Sequence, residues 1–133
     1  MSFSSSQFKK FAVAAAMSAD SKQGAEISVL DIRKAPGGPS DYMLLMSANS
    51  HVHMKTLRDS IEESLEGYGL TSIHRDGSRD SKWMALDYGG LLIHIFLEEV
   101  RDFYSLERLW PEARTLAWEP QKTKVPSRKR RKS

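Results

Sequence analysis

Phe8, Phe11, Ala12 and Ala15 recur at i, i+3, i+4 and i+7 behind a serine cluster able to cap a helix, so the start of the chain predicts an amphipathic helix. Residues 27–33 (ISVLDIR) form a short β-branched run, followed by the breaker APGGP at 35–39 and a second apolar run, DYMLLMSA, at 41–48; both read as buried strands. Ser50 then caps a helix whose Met54, Leu57, Ile61, Leu65 and Tyr68 line one stripe, with Arg58, Glu62, Glu63 and Glu66 outward and Gly67 and Gly69 ending it. Residues 71–74 suggest a third strand, and 76–82 a polar loop. Residues 83–87 and 91–97 flank Tyr88-Gly89-Gly90, and a Gly-Gly pair between apolar runs signals a tight antiparallel hairpin. A last helix over 99–110 sets Phe103, Leu106 and Trp110 toward the core and is stopped by Pro111. Helices before, between and after strands predict an α/β domain, a mixed sheet of about five strands flanked by helices.

Composition sharpens this picture. With 133 residues and 40% apolar content the chain is expected to form one domain, over 1–120, with a basic disordered tail over 121–133. That tail carries Lys122, Lys124, Arg128, Lys129, Arg130, Arg131 and Lys132 and no acid, which leaves 13 basic and 17 acidic residues in 1–120, a net charge of −4. An acidic body prefers a basic partner protein, whereas the tail alone is suited to touch nucleic acid. The absence of cysteine excludes disulfides, thiolate metal sites and cysteine nucleophiles. No run reaches the roughly 18–20 apolar residues of a membrane span, so no membrane is expected. The Ser-rich, basic first 19 residues also suit a targeting peptide, but they lack a long uncharged stretch and a clear cleavage site, and the segment is read as part of the fold.

Candidate chemistry is sparse. His51 and His53 are spaced i, i+2 at a helix start, point to different sides and have no third ligand at a recognisable spacing, so no metal is expected. His94, between Ile93 and Ile95, reads as a hydrogen-bonded, partly buried strand histidine. Asp31, Asp41 and Asp87 lie in or beside strands, yet no close acidic pair, phosphate loop or Gly-x-Ser-x-Gly elbow accompanies them. They read as strand-end and surface groups, and neither a catalytic set nor a cofactor is expected.

The segment WMALDYGGLLIHIF (83–96), followed by EEVRDFYSLERLW (98–110), closely resembles the ribosomal silencing factor family, also called the Iojap family. LDIR (30–33) and SDYMLLMSANS (40–50) agree as well, and the resemblance covers residues 7 to 113. Ser40 stands where alanine is usual and Ala48 where glycine is usual, both small-for-small. The resemblance implies a nucleotidyltransferase-like fold without catalytic acids and a non-enzymatic function. It implies binding to protein number fourteen on the intersubunit face of the large ribosomal subunit, blocking the small subunit and lowering translation when nutrients are scarce. The implied location is a bacterial cytoplasm, with an organelle holding bacterial-type ribosomes as the alternative. The competing reading is a nucleotidyl- or phosphotransferase on the same fold.

Strand alternation puts Trp83, Ala85 and Asp87 on one face, with Met84, Leu86 and Tyr88 on the other. Met84 and Leu86 are the more apolar pair and should face the core. Trp83 beside a carboxylate then has the composition of an interface hot spot. Tyr88, together with Tyr104 and Glu107 at i, i+3 on the last helix, is assigned to the same partner-binding patch, with Arg101 expected to orient Glu107 or Asp87. Such an exposed strand face also suits a homodimer, and the tail suits contact with ribosomal RNA.

Overall fold

The computed structural model describes residues 3–34, 40–77, 81–104 and 114–119, without the side chains of 102–104. Helix α1 (Ser5–Ser21) begins in a capping box: the Ser4 hydroxyl accepts from Gln7 N while the Gln7 side chain accepts from Ser4 N. Its Phe8, Phe11, Ala12 and Ala15 are buried as their spacing requires, and Ala16 and Ala19 widen the stripe. Strands β1 (Ala25–Asp31) and β2 (Tyr42–Ala48) are antiparallel neighbours, and every residue of β2 is buried. Helix α2 (His51–Glu66) starts at Ser50, whose hydroxyl accepts from His53 N at 3.0 Å, and buries Met54, Leu57, Ile61 and Leu65. Tyr68, expected on that stripe, is instead 55% exposed, because the helix ends before Gly67 and its periodicity no longer governs the chain there.

Strand β3 (His74–Asp76) is short and exposed and begins at His74, where the sequence suggested an end. The hairpin joins β4 (Trp83–Asp87) to β5 (Leu91–Leu97). Its two glycines have different causes. Gly89 takes a φ of 89°, and a Cβ on Gly90 would run into the Phe8 ring. Helix α3 covers Glu98–Tyr104; the rest of the helix expected to 110 lies outside the described residues. Strand β6 (Arg114–Leu116) follows.

The sheet therefore has six strands in the order β3-β4-β5-β2-β1-β6, one more than expected. The added strand is β6, which pairs antiparallel with β1 through Val29↔Leu116, Leu30↔Thr115 and Asp31↔Arg114. Only β2 and β5 run parallel, and the chain between them supplies α2, β3 and β4, so the sheet is mixed as predicted. Alternation sorts its two faces. Val29, Leu44, Met46, Met84, Leu86, Ile93 and Ile95 pack with α1 and α2 in one core. Leu30, Ile32, Met43, Leu45 and Phe96 form a second cluster on the opposite face, flanked by Trp83, Leu92 and Val100. Burying each large side chain of this kind contributes about 1.5–3 kcal/mol.

The candidate interface on the second sheet face

The β4–β5 register pairs Trp83 with Phe96, Ala85 with His94 and Asp87 with Leu92. Trp83 and His94 are thus diagonal neighbours, within reach of aromatic side chains. The Trp83 ring stacks on Phe96 with centroids 5.7 Å apart at 19°, and His94 stacks on Phe96 at 6.0 Å and 19°. Trp83 Nε1 donates to His94 Nδ1 at 2.9 Å. Trp83, Ala85 and Asp87 are each half-buried while Met84 and Leu86 are buried, the alternation the sequence predicts. Asp87 Oδ1 accepts from Gly89 N at 2.8 Å, which ties the carboxylate to the hairpin turn.

Tyr88 is not brought to this patch. It is 3% exposed and packs with Met84 and Leu86 in the core under the helices, where burial, first, and then Glu62 and Glu66 push its hydroxyl up to about 12. Its assignment to the partner-binding set is corrected: the same alternation that turns Trp83 outward turns Tyr88 in. The Tyr104 side chain and all of Glu107 lie outside the described residues. Arg101, expected to orient Glu107 or Asp87, is buried and donates to Ser47 Oγ at 3.1 Å, which in turn donates to Glu26 Oε1 at 3.0 Å.

His94 is 5% exposed, and its Nε2 has no hydrogen-bond partner among the described residues. Burial holds its pKa down at about 4, so the ring is neutral at pH 7. Because Nδ1 accepts from the indole, the proton sits on Nε2. Sequence reasoning anticipated a buried strand histidine but missed its partner; the hairpin register carried the signal.

His53, Asp31 and Asp41 are locally satisfied, while His51 is exposed at the start of α2. His53 accepts from Asn49 N at Nδ1 (3.0 Å) and donates through Nε2 to Lys22 O (2.8 Å), joining the start of α2 to the end of α1. Asp31 accepts three bonds from Arg33, two from the guanidinium at 2.9 and 2.8 Å and one from the backbone N–H at 3.1 Å, and lies 3.5 Å from Arg114; the Arg33 guanidinium, as the largest cause, holds it down at about 2. Asp41 accepts from the Ser5 hydroxyl at 2.7 Å. Among the described residues no group of three His, Asp or Glu side chains is arranged to hold a metal ion, and no helix is long and apolar enough to cross a membrane.

Comparison with known proteins gives this patch its context. The chain matches the family described as "Ribosomal silencing factor during starvation" over residues 5–133, further at both ends than the 7–113 that carry the visible resemblance. The ribosomal silencing factor of Bacillus subtilis is 27% identical over 99 residues, covering 74% of this chain and 83% of that protein. The chloroplastic Iojap protein of Zea mays is 29% identical over 106 residues, covering 77% of this chain but 44% of its own length. A crystal structure of a Chromobacterium violaceum protein superposes with a TM-score of 0.71 at 26% identity, covering 77% of this chain and 85% of that one. With a family match that runs from the capped start of α1 to the final residue, this chain belongs to the ribosomal silencing factor family.

Proposed function

We propose that the protein docks on the large ribosomal subunit through that subunit's protein number fourteen, and that its bulk there blocks joining of the small subunit and represses translation. The observation that carries this reading is a half-buried tryptophan, Trp83, beside Ala85 and Asp87 on the sheet face opposite α1 and α2. An aromatic of this kind next to a carboxylate is the composition of an interface hot spot. The net charge of −4 over 1–120 favours a basic protein partner. Tyr104 and Glu107 extend the surface on the spacing of the sequence alone. The mixed sheet serves as a nucleotidyltransferase-like scaffold, and Asp31, Asp41 and Asp87 act as local anchors of the fold in place of catalytic acids. The setting is a bacterial cytoplasm, or an organelle with bacterial-type ribosomes, as the likeness to a chloroplastic relative supports. A homodimer formed through the same face would compete with docking.

Co-sedimentation with purified large subunits tests the reading: the protein should travel with large subunits and not with small ones. The seven basic residues of 121–133 are assigned to ribosomal RNA. Removing Gln121 to Ser133 should lower affinity modestly and flatten its salt dependence, since screened phosphate contacts are lost while the protein contact stays. Binding measured across a salt series checks this, and equal slopes with and without the tail would contradict it.

A further inference from the structure

We propose that His94 is the positioning residue for docking: by accepting the Trp83 indole N–H it fixes the orientation in which Trp83 meets the ribosome. This rests on the docking reading above. The geometry is closed on three sides. The indole donates to Nδ1 at 2.9 Å, and both rings stack on Phe96. The backbone register holds Ala85 against His94 and Leu45 against its other side. A half-buried indole turns readily about its side-chain torsions; a buried acceptor at a fixed distance selects one orientation and lowers the ordering cost of binding.

At Nδ1 the imidazole supplies an acceptor that an apolar ring of similar size lacks. The acceptor survives throughout the neutral pH range because burial keeps the ring uncharged.

The test uses the full chain, purified large subunits and a 15N–1H spectrum of the indoles, with the Trp83 resonance assigned by its loss in Trp83→Phe. His94→Phe keeps an aromatic ring and removes the acceptor. His94→Asn places an amide oxygen near Nδ1, and His94→Gln places one near Nε2. In His94→Phe the Trp83 indole resonance should move upfield and affinity fall about fivefold to tenfold. His94→Asn should restore most of both, and in the Trp83→Phe background all His94 variants should bind alike. An unmoved resonance, an equal loss in both backgrounds, or His94→Asn binding no better than His94→Phe would overturn the proposal. Should His94→Phe fail to fold, His94→Gln takes its place, and equal affinities for His94→Gln and His94→Asn would overturn it as well. Full affinity in Trp83→Ala would instead overturn the docking reading itself, a result distinct from Trp83→Ala binding weakly while the His94 variants bind normally.

Discussion

Trp83→Ala should weaken binding to large ribosomal subunits by about 2 kcal/mol or more while leaving a cooperatively folded protein. The residue is half-buried, so its truncation removes interface area and the stack on Phe96 without opening the core that α1 and α2 cover. The cost to the fold includes the lost ring contact and the indole bond to His94, about 1 kcal/mol each, along with packing on the second apolar cluster. Equilibrium binding to purified subunits, alongside denaturant unfolding of the variant, separates the two effects. Unfolding with unchanged affinity in the surviving folded fraction would make Trp83 a core residue.

Acidification should cost this protein about 3 kcal/mol between pH 7 and pH 4 through His94 alone. The imidazole binds its proton near 6.5 in the unfolded chain and near 4 in the fold, where burial penalises the charged ring. Between those values the unfolded chain holds more protons, so folding stability is complete above 6.5 and falls as the pH drops toward 4. Asp31, which the Arg33 guanidinium holds at about 2, also loses stability at the acid end, as do the more exposed and solvent-screened Asp59 and Glu99, but they do so in any variant that keeps them. The contribution of His94 is therefore the difference between wild type and His94→Phe in unfolding free energy across the pH series. A His94→Phe profile parallel to wild type between pH 6.5 and 4 would contradict it.

The sequence made some of this legible for definite physical reasons. Helix α2 is long enough for four buried positions, Met54, Leu57, Ile61 and Leu65, to define a period, and Ser50 marks its start chemically. The β4 alternation was readable because Met84 and Leu86 outweigh Ala85 in apolar area, and burial follows that order. Tyr68 escapes the periodic stripe because the helix ends at Glu66, two residues before it. Strand β6 spans three residues, too few to show a period of two, and its pairing to β1 is long-range information that no local pattern holds. Likewise β3 is fully exposed and has no apolar side to reveal it. On β4 the alternation sets Trp83, Ala85 and Asp87 away from the helix-covered core, and the same alternation turns Tyr88 inward. The Trp83–His94 bond follows only when the hairpin register, which sets the two residues diagonally, is combined with the alternation that puts them on one face.

A steric block requires only occupancy, and mixing separated ribosomal subunits with the purified protein and resolving them on sucrose gradients tests it directly. Chelator and nucleotide should be compared at matched free magnesium, since magnesium itself drives subunit joining. Joining should fall in proportion to the fraction of large subunits carrying the protein, equally with and without nucleotide, and Trp83→Ala should shift the effect to higher concentration. Inhibition seen only with nucleotide, or joined particles that retain the protein, would contradict a steric block.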